Sequence, residues 1–376
     1  KDNPGFDFKN RKTLKKMFSY FLVAIFLFLV MKTIATHIIT PTESKGDPQN
    51  ISSEKGLESL PQEGGVTCQK CIKNPLTGKN MEQKDLPLSL FAVVIDNHKD
   101  ARPQYGLNQA GLVYETEVEG GITRYLAFFT SYDDINKIGP IRSARPFFID
   151  WSQDVPSLLV HCGGSPQALA EIAKFDINNL NEFYRSNYFW RDKTLPSPHN
   201  IFTSSASINE YLDRTRQINS GHDIEINEEK FYNKDIPGKY DTENKKEHLI
   251  GIMYKQPHYD VEWEYDQQKN GYIRYLAGEK HLTGDGEKII SQNVIIHYAT
   301  ASIKDEKLRL DRKTIGEGDA LVCQKGECQE GYWSKEARNK ATQYFTKTNT
   351  KNPEVIKLLP GVTWVEVVRP ETEITY

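Results

Sequence analysis

The chain has 376 residues, 38% hydrophobic and 11% aromatic, which is enough to build the cores of about two domains plus a tail. Its 48 Lys and Arg against 51 Asp and Glu leave a formal net charge of −3. That balance gives no global attraction to a phosphate backbone, and without a basic stripe nucleic acid is excluded as the expected partner.

Residues 1–16 carry Lys9, Arg11, Lys12, Lys15 and Lys16 and read as a basic cytoplasmic tail. An apolar run, Met17 to Met31, follows and resumes after Lys32 as far as Ile39. A spanning helix needs ~20 residues, and 17–39 reaches that length if Lys32 snorkels to the interface. The basic cluster then stays inside and everything after Thr40 lies outside. A cleaved signal peptide ending near Ala35 is the alternative, but an A-x-A end is missing, so a single-pass transmembrane anchor is expected. Residues 40–70, rich in Pro, Ser, Glu, Gly and Lys, read as a flexible stalk.

Two domains are expected beyond it. In 71–235 the buried run LSLFAVVID is followed by two strand-like runs, GLVYETEV and ITRYLAFFT, joined at Glu119-Gly120-Gly121. A two-residue Gly120-Gly121 loop would set Glu117 opposite Arg124. Pro146 opens one helix, and Ser165-Pro166 opens another after the strand SLLVH and a glycine turn. A third helix is expected over SSASINEYLDRTRQ, where Ser207 and Glu210 have capping-box spacing. In 245–376 the texture changes to strands, with Tyr259, Val261, Trp263 and Tyr265 alternating with acidic residues. The fold class read from this is α+β: a mixed α/β first domain with strand, glycine-turn, helix units, and a mostly antiparallel β second domain.

Five cysteines suit an oxidising exterior. A two-residue turn at Lys325-Gly326 places Cys323 opposite Cys328 within disulfide range. Cys68 and Cys71 form a C-x-x-C that reads as a small disulfide loop or half a zinc site. Cys162 is left over.

Chemistry-bearing residues concentrate between Asp96 and Asn200. His161, Gly163, Gly164 and Ser165 lie where a strand turns into a helix start, a geometry that binds anions; the alternative is a plain cap and a buried histidine. Arg142 and Arg145 precede another helix start and call for an anionic partner, either a ligand or the internal acids Glu115, Glu117, Glu119 and Asp150. Arg102, Arg124 and His199 join the candidate ligand-binding set. His161, Glu119 and Asp96 are the candidates for acid or base work. Asp96, Asn97 and His98 with His161 or His199 would offer oxygen and nitrogen donors, but no H-E-x-x-H or D-x-D-x-D-G supports them, and neither metal nor cofactor is assigned.

The words VVIDNHKDARPQYGLNQAGLVYETEVEGGITRYLAFFTS, KIGPIRSARPFFID and VHCGGSPQAL resemble the amino-terminal half of the YerB-like bacterial lipoproteins, a family defined as a domain of unknown function. NPLTG fits its lead-in, and GYWSKEARNKATQYF with LLPGVTWVEVV is similar to its carboxy-terminal half. The resemblance implies an extracytoplasmic, membrane-tethered two-part protein and no known reaction. Because no Cys follows the apolar run until Cys68, tethering here falls to a protein helix rather than a lipid. Two functions remain open. One is an envelope protein that binds an anionic ligand, such as a wall fragment, or a partner protein. The other is a hydrolase or transferase acting on a wall glycan, peptide or lipid-linked phosphate.

Overall fold

The computed structural model describes residues 70–216, 249–347 and 353–376. The expected tail, membrane span and all but the last residue of the stalk lie outside them. Among the described residues no helix is long and apolar enough to cross a membrane.

The expected α+β balance does not form, because the described chain is mostly strand with three short helices. The strands of the main body are β1 (Leu90–Asp96), β2 (Leu112–Glu117), β3 (Thr123–Thr130), β4 (Ser157–His161), β5 (Asn179–Asn181), β6 (Leu249–Met253), β7 (Val261–Asp266), β8 (Gly271–Leu276), β9 (Glu279–Lys280), β10 (Ile290–Ser291), β11 (Asn293–Tyr298), β12 (Gly316–Gln324), β13 (Glu327–Lys335), β14 (Gln343–Thr346), β15 (Thr363–Val368) and β16 (Glu373–Thr375). The helices are α1 (Pro146–Ser152), α2 (Pro166–Lys174) and α3 (Ser205–Arg216).

A ten-stranded sheet runs β14-β13-β12-β11-β15-β2-β3-β1-β4-β5 and takes strands from both halves of the chain. They meet where β15 inserts parallel to both β11 and β2. A second sheet, β9-β8-β7-β6-β16 with β10 beside β8, packs on one face. Phe91, Val93 and Ile95 of β1 point to that side, with Ile252, Val261, Trp263 and, from α3, Ile208 and Leu212. Leu90, Ala92 and Val94 point the other way, into Phe147, Phe148 and Trp151 of α1 and Ala168 and Ile172 of α2. Coverage on both faces is why β1 reads as an unbroken apolar run. The balance tips toward strand because a sheet, not a set of helices, covers one of the two faces.

Local signals explain the element ends, with two corrections. Ser165 caps α2 by accepting from the Ala168 N–H, and Pro166 follows at the first helical position. At α3 the capping hydroxyl is Ser204, which accepts from Ser207 N at 3.1 Å, so Ser207 lies inside the helix. The start moves because Ser205 is pinned to the Ile135 backbone. The β2–β3 loop is also longer than two residues: Glu117 faces Thr123, and Thr116 faces Arg124. Glu119–Gly121 forms a 3-10 turn in which Gly120 and Gly121 both take positive φ, 72° and 75°, where a side chain would be strained. This register puts Arg124 on the helix-covered face and leaves Glu115 and Glu117 facing the second sheet.

In β12–β13, Lys325 and Gly326 supply the two positive-φ residues of the turn. Cys323 stands opposite Cys328, with Cα atoms 4.0 Å apart and the sulfurs bonded. So short a loop removes little chain entropy and contributes about 1 to 3 kcal/mol.

Between the sheets lies a sealed ionic network. Arg274 of β8, fully buried, donates to Glu115 of β2 and lies 3.8 Å from Glu366 of β15. Glu366 also accepts from Trp263 Nε1 at 3.0 Å and the Tyr254 hydroxyl at 2.9 Å. Burial and the charge of Glu115 push the Glu366 carboxyl up to about 8, against the pull of Arg274. Removing one partner of such a group strands the other charges in a dry interior. Arg274→Met should therefore cost ~3 to 5 kcal/mol in denaturant titration; a loss below 1 kcal/mol would mean that the carboxylates find other partners.

The same network predicts a pH effect. Between its ordinary value of 4.5 and about 8, Glu366 holds a proton in the folded state that it releases on unfolding, so stability falls as pH rises through that window. Denaturation midpoints across the window should flatten in Glu366→Gln, and an unchanged slope would assign the effect elsewhere.

Candidate functional site

β1 ends at Asp96, and β1–β3 pairing sets Arg124 directly opposite it. The segment 139–145 then threads between the ends of β1 and β4. Arg142 N donates to Val94 O, Cys162 N to Arg142 O, and Ala144 N to Gly163 O. This delivers Arg142 and Arg145 to the carboxy-terminal ends of parallel strands, where open sheets leave room for ligands. His199 arrives from a separate turn, its own N–H bonded to Pro196 O.

Asp96 is the hub. Its Oδ2 lies 2.7 Å from His199 Nδ1 and 3.0 Å from Arg142 Nε, and its Oδ1 accepts from His98 N. Burial pushes this carboxyl up, but the His199 hydrogen bond and the Arg124 and Arg142 guanidiniums outweigh it and hold it down to about 2. Glu119 takes Arg145 in a bidentate grip, Nε to Oε1 at 2.5 Å and Nη2 to Oε2 at 2.8 Å. Its carboxyl is held below the usual range because those contacts outweigh its burial. Arg124 is buried and donates to Ser143 O at 2.8 Å, while its Nε has no hydrogen-bond partner among the described residues. Burial, followed by the charge of Arg145, lowers its guanidinium to about 9.

Arg124, Arg142, Arg145, Glu119, Asp96 and His199 thus lie together. Arg102 does not join them: it donates to Asn97 Oδ1 and His258 O and sits 5.0 Å over the Tyr259 ring, tying the first half of the chain to the second. His161 is sealed, its Nδ1 2.6 Å from Gly163 O and its Nε2 3.2 Å from Asn179 Oδ1, and burial keeps it below its ordinary value. The Gly163 N–H is taken by Asn181 Oδ1, and the Phe183 ring lies against that glycine. Ser165 is occupied as a helix cap. Cys162 is a buried thiol, pushed up to about 12 by burial and by Glu182.

The other arginine partners are internal. Glu115 meets Arg274, Glu117 meets Arg312 and Arg369, and Asp150 meets Arg338. Sequence reasoning passed over Arg274, Glu366, His281 and Gln104, whose only signal was a charged or amide residue at a position that burial demands be paired. It also passed over Asp100, two residues beyond His98. His98, Asp100 and His199 could hold a metal ion, with one ligand atom from each lying within 4.8 Å of the others.

His161→Phe is expected to remove the one buried hydrogen bond that the neutral ring donates, at about 1 to 3 kcal/mol in a thermal or denaturant melt. A variant as stable as the parent would show that the histidine is open to water.

The chain matches the family model described as "Protein of unknown function (DUF3048) N-terminal domain" over residues 76–218, and the model for the corresponding C-terminal domain over residues 250–365. It is 31% identical over 307 residues to the Bacillus subtilis (strain 168) protein named "Putative lipoprotein YerB", covering 80% of this chain and 87% of that one. It is also similar to the crystal structure of the YerB protein from Bacillus subtilis, with a TM-score of 0.69 at 27% identity, over 81% of this chain and 100% of that one.

Proposed function

The chain belongs to this two-part DUF3048 family of unknown biochemical role, and from that premise we propose that it is a membrane-associated, extracytoplasmic envelope protein that binds an anionic ligand. The membrane association follows the name of its lipoprotein relative. The ligand class follows from one observation: three guanidiniums, Arg124, Arg142 and Arg145, crowd a strand-end site holding two carboxylates, Asp96 and Glu119. An incoming carboxylate or phosphate would relieve that imbalance, and Arg142, a quarter exposed, is the guanidinium best placed to meet it. A wall fragment carrying such groups fits the compartment.

Binding is favoured over hydrolysis or transfer by the state of the candidate acid and base groups. His161 is enclosed with each ring nitrogen against an oxygen, and Asp96 and Glu119 are held ionised by their cationic neighbours. A general base needs a proton affinity near the working pH and a path to substrate. None of the three combines both.

Calorimetric titration of the full chain with inorganic phosphate and with anionic wall fragments tests the reading. Arg142→Ala should weaken the binding at least ~10-fold, equivalent to one lost charge-assisted contact. Its melting free energy should fall by only about 1 to 2 kcal/mol, since Asp96 keeps His199 and Arg124. Failure of every phosphate- and carboxylate-bearing probe to bind, or an unchanged affinity in the variant, overturns the proposal.

A further inference from the structure

His98 and His199 stand face to face, ring centroids 4.4 Å apart and planes within 14°. Stacking two imidazoles so closely beside a carboxylate gains little by itself. The carboxylate is Asp100, whose Oδ2 lies 3.5 Å from His98 Nδ1. Each of the three offers a ligand atom within 4.8 Å of the others, and all remain at least partly open to solvent. From these contacts we infer that His98, Asp100 and His199 form a divalent transition-metal site, of the two-histidine, one-carboxylate type that zinc accepts.

A second, independent feature points the same way. His199 turns its Nδ1 onto the buried carboxylate of Asp96 at 2.7 Å. That bond orients the ring and leaves Nε2 for a ligand, the arrangement by which a carboxylate behind a metal-bound histidine fixes its tautomer. Asp96 is itself immobilised by Arg142 and by the His98 N–H, so the orienting group does not swing.

The geometry requires a ring rotation and a closure. Zinc at ~2.0 to 2.1 Å from each donor brings tetrahedral donors to about 3.4 Å of one another. His98 and Asp100, two residues apart at an accessible turn, would have to move, the His98 ring turning out of its stack because an imidazole lone pair lies in the ring plane, whereas His199 is held by Asp96. His98 Nδ1 now accepts the Asp100 N–H at 3.2 Å, a bond that a metal on that nitrogen would replace. Three protein donors would leave a coordination position open, and His199 shares the Asp96 carboxylate with Arg142. An anionic ligand oxygen could there meet metal and guanidinium together. The metal site stands without that ligand.

The test uses the full chain stripped with a chelator and titrated with Zn²⁺ by calorimetry, with Co²⁺ absorption as a second readout. One ion per chain is expected to be lost from this site in His98→Ala and in His199→Ala. Asp96→Asn should weaken it about 10- to 100-fold without removing a donor. Each variant is compared by thermal melt, and His98→Ala, a change at a solvent-accessible turn, keeps the test meaningful if the others unfold. Metal uptake is read with no anion present, so a failed anion titration would not count against the metal. Uptake unchanged in the double variant His98→Ala/His199→Ala would assign the ion to other groups and overturn the inference. So would the absence of any Zn²⁺ binding by the stripped parent.

Discussion

A guanidinium sealed from water costs several kcal/mol unless carboxylates meet it with good geometry, and Arg274 is met by Glu115 from β2 and Glu366 from β15. Those two strands are neighbours in the large sheet, while Arg274 belongs to the second sheet. The network therefore fixes where one sheet lies on the other. Slip by one residue along β8 would turn Arg274 outward and leave two buried acids without it. The rings of Trp364, Trp263 and Tyr125 surround the cation at 4.9 to 5.8 Å and complete its enclosure.

The same network reaches the strand-end site. Arg274 contacts His281 at 2.6 Å, and His281 Nε2 meets Gln104 Oε1 at 3.0 Å. Gln104 donates to the Asp96 carbonyl and to Asn97, which in turn donates to Glu115 and to Thr123. The backbone beneath the Asp96 carboxylate is thus held from behind by groups of the second sheet. Rigid support of this kind is what a binding constellation requires to keep its donors in place.

Local pattern made much of this legible, and distance in sequence hid the rest. Alternation in Val261, Trp263 and Tyr265 marks β7, the Asn270-Gly271 pair marks its turn, and Lys325-Gly326 marks the β12–β13 hairpin; each signal is contained in a few residues. The fold class was not legible, because SLLVH followed by a capped helix reads as an α/β unit whatever covers the opposite face. Only the pairing of β2 with β15, and the sheet lying over them, decides that. The polar residues of the site stood out for the company they keep with glycines and prolines. Whether one of them is open, like Arg142, or sealed, like His161, depends on Asn179, Phe183 and the β4–β5 pairing, which the local run does not announce. Arg274 was missed for the same reason, since YIRYL gives it the look of an ordinary exposed strand charge.

Insertion of β15 between β2 and β11 also sets an order on how the chain can be built. A polypeptide emerging from its amino-terminal end presents β1 to β5 first, and β2 then has β3 on one side and nothing on the other. The groove stays vacant until residues 363–368 arrive to fill it. Through that interval the nascent protein carries an open apolar edge, bearing Leu112, Val113 and Tyr114, of the kind that recruits strands from other chains. The vulnerable period is therefore the time between the appearance of β2 and the arrival of β15.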